Sequence, residues 1–144
     1  MLQTGHKSLF IIARYDAQTF ATLQTGFVVY TSTFIFATKQ FDERFYGLDE
    51  TIASAAREIP GYLGEETWEN AATGLTSNVY YWDSLEALQV LIQHPVHQEA
   101  KAAQANWLAG YQVIIAEVLR TYGDAGFAHP AAAARDAQTA PREP

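Results

Sequence analysis

Phe27 to Ala37 reads FVVYTSTFIFA, a run dense in β-branched and aromatic residues with no Gly or Pro to break it. Such a run predicts a long strand. Side chains alternate across a strand, so Val28, Tyr30, Phe34 and Phe36 fall on one face and Phe27, Val29 and Ile35 on the other. A strand with apolar bulk on both faces needs cover on both. One face of the sheet is therefore expected to meet helices and the other a second layer.

The remaining elements follow from changes of period. Phe45, Leu48, Ile52, Ala55, Ala56 and Ile59 recur at helical spacing, with Asp49, Glu50, Arg57 and Glu58 largely off that stripe. Pro60-Gly61 stops this first helix. Tyr62 to Glu69 predicts a second strand, Asn70 to Gly74 a turn, and Leu75 to Trp82 a third strand. Asp83, three residues before Glu86, matches a capping box and marks the start of a second helix carrying Leu85, Leu88, Leu91 and Ile92. Pro95 predicts a break near His94. A further helical piece is expected from Val96 to Trp107, closed by Gly110, and a fourth strand from Tyr111 to Tyr122.

These elements divide the chain into an N-terminal arm (residues 1–25), a folded domain (26–123) and an Ala- and Pro-rich C-terminal tail (124–144). A tail of that composition is expected to be mobile or held as an arm, against a partner subunit for instance. The order strand, helix, strand, strand, helix, strand is the ferredoxin-like βαββαβ plan, an α+β fold with an antiparallel sheet and helices on one face. The surplus apolar residues predict that a second copy covers the open face, making a homodimer.

A net charge of -7 argues against a nucleic-acid or anionic-membrane partner, since both need a basic footprint. With no cysteine there is no thiolate nucleophile and no Cys-type metal site. The apolar run Leu9 to Ala13 is too short for a signal core or a membrane span, and a soluble cytoplasmic protein is expected.

The segment from Pro60 to Tyr122, with PGYLGEETWEN, VYYWDSLEAL and HPVHQEA, resembles the antibiotic biosynthesis monooxygenase (ABM) superfamily of dimeric α+β barrels. The first strand and helix fit the same plan less specifically. The resemblance implies a small-molecule monooxygenase that oxidises a flat phenolic or polycyclic substrate with no bound cofactor. It also implies an Asn-x-x-x-Trp pair on the third strand and a Tyr on the following helix. Asn78 and Trp82 keep the pair; Leu88 stands in place of the Tyr. The Trp and axial His of the superfamily's haem-degrading branch align with Leu91 and Lys101, and Ser32 or Thr33 falls near that branch's strand-one Asn, so haem use of that type is disfavoured.

Asn78, Tyr80 and Trp82 alternate along one strand and share a face. An amide and an indole N–H there would hydrogen-bond a phenolate or developing oxyanion, and Tyr80 is the nearest substitute for the missing hydroxyl. The structural alternative makes Trp82 core and Asn78 a local hydrogen-bonding group. Tyr30, Phe34, Trp107 and the histidines of His94-Pro95-Val96-His97 are candidate ligand contacts. The bland reading makes the aromatics packing anchors and the histidines a polar helix break. No cluster of His, Asp or Glu at ligand spacing supports a metal site. Three alternatives remain open on this fold: a haem-binding enzyme that uses His94 or His97 in another way, an isomerase-type enzyme, and a non-catalytic ligand-binding dimer.

Overall fold

The computed structural model describes residues 28–134. Four antiparallel strands, β1 (Tyr30–Thr38), β2 (Tyr62–Asn70), β3 (Leu75–Trp82) and β4 (Leu108–Glu117), form one sheet in the order β2-β3-β1-β4. Helices α1 (Glu43–Glu58), α2 (Leu85–Gln93) and α3 (Pro95–Ala103) supply the connections that the ferredoxin-like plan requires. The expected fold class is the one observed. No helix among the described residues is long and apolar enough to cross a membrane.

Local chemistry sets the boundaries. Asp42 caps α1, its carboxylate accepting from the Phe45 N–H at 2.8 Å. Glu43 in the first turn and Arg57 in the last complement the helix dipole. Ile59 ends the helix, and Gly61 turns the chain with φ +102°, a conformation that disfavours a side chain. A Cβ on Gly61 would lie 2.2 Å from Asp83 Oδ1, so the turn into β2 and the exit from β3 are packed backbone to side chain.

Three boundaries differ from expectation. Ser84, and not Asp83, caps α2, accepting from the Ala87 N–H at 3.1 Å, while the Asp83 N–H donates to the Gly61 carbonyl at 2.8 Å. Strand four begins at Leu108, ahead of Gly110, after a 3₁₀ turn at Gln104–Asn106, and it ends at Glu117. Gly110 pairs with Ala37 inside the strand, beside a register shift at Ala37/Thr38. A glycine at an irregular edge position therefore interrupts nothing. The break at His94 occurs as expected, and Pro95 starts α3, where its missing N–H is harmless.

The sheet has two unlike faces. On the helix face, Trp82, Ala56, Ile59, Leu88 and Leu91 form one core cluster, and Phe36, Trp107 and Leu108 form another. On the opposite face, the described part of the tail docks. Its 3₁₀ turn Pro130–Ala133 lays Ala133 against Val29 and Tyr81, and all three are buried. Part of the face assigned to a second subunit is thus covered by the chain's own C-terminal segment. The arm at 1–25 and the end of the tail lie outside the described residues.

Candidate functional site

Between the two helix-face clusters lies a cavity of about 380 Å³. Its floor is the even-numbered face of β1 and β3, its roof comes from α1, α2 and α3, and β4 contributes Tyr111, Val113 and Ile115. These three β4 side chains are about half exposed, so the cavity opens along that strand. Most of the wall is apolar. Phe34 packs on Phe36 (ring centroids 5.1 Å) and on Tyr111 (5.7 Å), giving a flat aromatic lining.

The predicted residues separate into two groups. Asn78, Tyr80, Phe34, His97 and Trp107 line the cavity. Trp82 shares the face of Asn78 and Tyr80 but is fully buried in the core, and Tyr30 packs against the same cluster. His94 caps α3, its Nδ1 accepting from the Val96 N–H at 3.2 Å, and it does not line the cavity. Leu88, standing where the resemblance implies a Tyr, lines the cavity as an alkyl group.

Trp82 nevertheless reaches the cavity indirectly. Its indole N–H donates to Ser32 Oγ at 3.1 Å, and Ser32 is a lining residue. With that lone pair engaged, the Ser32 hydroxyl hydrogen is free to point elsewhere. Asn78 is oriented in the same way: Thr67 Oγ1 donates to its Oδ1 at 2.9 Å, which turns the amide N–H groups away from Thr67.

Three ionisable groups in the wall are displaced from their ordinary ranges. Burial, and next the Glu65 charge, pushes the Tyr80 hydroxyl far above the usual phenol range, so it stays protonated and acts as a hydrogen-bond donor. Burial is also the main reason that His97 is held below the usual imidazole value, with Lys101 and His94 adding to it against the Ile92 carbonyl. Its Nδ1 is buried with no hydrogen-bond partner. Asp49 is pushed up to about 6, by burial first and then by the charges of Glu65 and Glu50.

From the sequence Asp49 reads as largely off the apolar stripe of α1, and Glu65 as a strand carboxylate that is a raised-pKa base inside a barrel but more often a solvated edge residue; the structure corrects the first by placing Asp49 in the cavity lining, and it buries Glu65. Asp49 lies four residues after Phe45 and three before Ile52, on the inward side of α1. Glu65 is 8% exposed, pairs across the strands with Tyr80, and takes Arg57 Nη2 at 2.8 Å on Oε1. Its Oε2 is buried and meets no partner at regular hydrogen-bond geometry, but the Tyr80 hydroxyl lies within hydrogen-bonding reach of the carboxylate, which helps to keep that hydroxyl protonated. Among the described residues no group of three His, Asp or Glu is arranged to hold a metal ion.

No protein-family model matches the chain. Over 73 residues it is 38% identical to the uncharacterized protein YqjZ of Bacillus subtilis (strain 168), a match covering 49% of this chain and 62% of that protein, so the chain spans less than two thirds of this relative. Solved structures match at the level of the fold. SnoaB, a cofactor-independent oxygenase from Streptomyces nogalater, superposes with a TM-score of 0.55 at 12% identity over 65% of this chain and 95% of that one. A candidate antibiotic biosynthesis monooxygenase from Nitrosomonas europaea gives 0.54 at 13% over 68% and 96%. Rv0793 from Mycobacterium tuberculosis gives 0.53 at 14% over 67% and 99%. The likeness to ABM proteins carried by the Pro60–Tyr122 motifs is thus met in three dimensions, as a shared fold.

Proposed function

We propose that this chain binds a flat phenolic or polycyclic molecule between sheet and helices and oxidises it with dioxygen, using no bound cofactor. The observation that carries the reading is the 380 Å³ cavity, aromatic along β1 and β4, with its strand-borne polar groups Ser32, Asn78 and Tyr80 on one floor. Its fold likeness to a cofactor-independent oxygenase supports the same reading.

The chemistry asks little of the protein beyond orientation and charge placement. A methylene held between two aromatic rings that conjugate it with a carbonyl loses a proton to give an enolate, which reduces dioxygen. The net change converts CH2 plus O2 to C=O plus H2O, with one oxygen atom in the product and the other in water. Tyr80, Asn78 and Ser32 present donors to the enolate or phenolate oxygen, where each would stabilise charge as it develops in a water-poor site. Trp82 acts through Ser32 and is a positioning residue.

A homodimer completes the reading. Ile114 (46% exposed) and Ile115 (50% exposed) lie on opposite faces of β4, and a second subunit laid along this edge strand would cover both an apolar surface and the mouth of the cavity.

Oxygen uptake with anthrone as probe, followed together with formation of anthraquinone, tests the function. Wild type is expected to consume one dioxygen per product, and Asn78→Ala to lower kcat/KM by about 10-fold or more. No uptake above the uncatalysed rate by the wild-type protein sinks the proposal.

A further inference from the structure

We propose that Asp49 is the proton acceptor of this cavity, taking the proton of the bound phenolic or enolisable ligand, and that Glu65 is the positioning residue that keeps it ready. The inference rests on the function proposed above and supplies the base that this function needs. Three geometric observations lead to it. Asp49 projects from α1 into the lining, facing the wall that carries Tyr80. Glu65, cross-strand from Tyr80, is more than nine-tenths buried, and Arg57 satisfies only one of its oxygens. Its second oxygen makes no regular hydrogen bond, and the carboxylate lies close enough to act on both Tyr80 and Asp49, the two groups that meet in the cavity.

The arrangement makes chemical sense as a unit. The ligand's O–H bond, or the C–H bond conjugated with its carbonyl through the rings, breaks; the electron pair stays on the ligand and the proton goes to an Asp49 carboxylate oxygen. The ligand and Asp49 together carry one negative charge before and after, so the transfer adds no charge to an apolar site. The ligand oxygen meanwhile accepts from Tyr80, which stays protonated and so cannot serve as the base. A base works best when its pKa lies near the operating pH, and burial first, then the Glu65 charge, lifts Asp49 in that direction. Glu50 on the same helix adds to that effect. His97 and Lys101 on α3 also face the cavity. Lys101 is exposed, and burial weakens His97 as a base.

The test compares wild type with Asp49→Asn, Glu65→Gln and His97→Gln, using anthrone turnover across pH 5 to 8 and, separately, binding of the non-ionisable 9,10-anthraquinone by quenching of tryptophan fluorescence. Wild-type kcat/KM is expected to fall on the acid side with an apparent pKa of about 6. Asp49→Asn is expected to bind anthraquinone within about threefold of wild type yet lose about 100-fold in kcat/KM. Burial raises Asp49 most and the Glu65 charge adds to it, so Glu65→Gln should move the acid limb part of the way to lower pH; a purely structural role for Glu65 would leave that limb in place. His97→Gln should keep the limb where wild type has it.

Full turnover by Asp49→Asn, or an acid limb that disappears with His97→Gln and survives Asp49→Asn, overturns the assignment while the oxygenase reading stands. A wild-type protein that neither binds anthraquinone nor oxidises anthrone overturns both.

Discussion

Two neighbouring Tyr and Glu pairs sit back to back across the β2 and β3 strands, and they have opposite fates. On the outer face, the Tyr81 hydroxyl donates to Glu66 Oε1, and His129 Nε2 lies 3.0 Å from Oε2, so both carboxylate oxygens are engaged. The His129 Nδ1 in turn accepts from the Ala131 N–H at 3.1 Å, which leaves Nε2 to carry the proton given to Glu66. On the helix face, one residue earlier in each strand, Tyr80 lines the cavity and Glu65 is buried beside it, one carboxylate oxygen on Arg57 and the other at no regular hydrogen-bond geometry. The outer pair is closed by the chain itself and serves stability. The inner pair is left incomplete, and buried polar groups without partners destabilise a fold unless something else binds them.

The contrast predicts opposite signs for otherwise similar changes. The largest effect is expected from ending the chain at Gly123, which uncovers Val29 and Tyr81 and should lower unfolding stability in urea by about 3 kcal/mol. Next, Tyr81→Phe should destabilise by about 1.5 kcal/mol because Glu66 loses a donor, whereas Tyr80→Phe should cost less than about 0.5 kcal/mol and show its effect in ligand affinity instead. Equal losses for the two tyrosines would erase the distinction between the faces.

The most diagnostic effect, of opposite sign, concerns Asp49. Its folded-state pKa of about 6 lies above the ordinary carboxylate value of 3.8, so the native state binds the proton more tightly than the unfolded chain does. Stability therefore falls as pH rises through that window, and above it the full cost of the buried charge is present. Asp49→Asn should accordingly stabilise the protein at pH 7, by about 1 kcal/mol after allowance for solvent screening, with the gain fading towards pH 4. Denaturant curves at the two pH values measure it. A destabilised Asp49→Asn would place this carboxylate among the structural groups of the outer face.

The fold was legible because its signals are local. The apolar bulk of β1, the helical spacing of α1, the Pro60-Gly61 stop and the His94-Pro95 break each act within a few residues. The cap of α2 was misplaced by one position because Asp83 and Ser84 are both good caps, and only the tie between Asp83 and Gly61 across the sheet end decides between them. The tail misled for the converse reason. Ala and Pro give no core signal, yet Pro130 and Ala133 are small enough to lie flat on the sheet once His129 is anchored to Glu66. As for the site, Asn78 and Tyr80 followed from strand parity, but parity says nothing of depth, and Trp82 proved to lie beneath the floor. Asp49 was missed because it reads as largely off the apolar stripe of α1, although its spacing from Phe45 and Ile52 brings it round to the cavity side.

The turn at Gly61 bears on the same cavity from outside it. A methyl group there would meet Asp83 Oδ1 at 2.2 Å and Ala87 Cβ at 2.8 Å, and Ala87 lies in the first turn of the helix whose Leu88 and Leu91 form part of the roof. Any side chain at this position would have to raise α2 from the sheet, so the clearance available to a ligand is gauged by an atom that residue 61 does not possess.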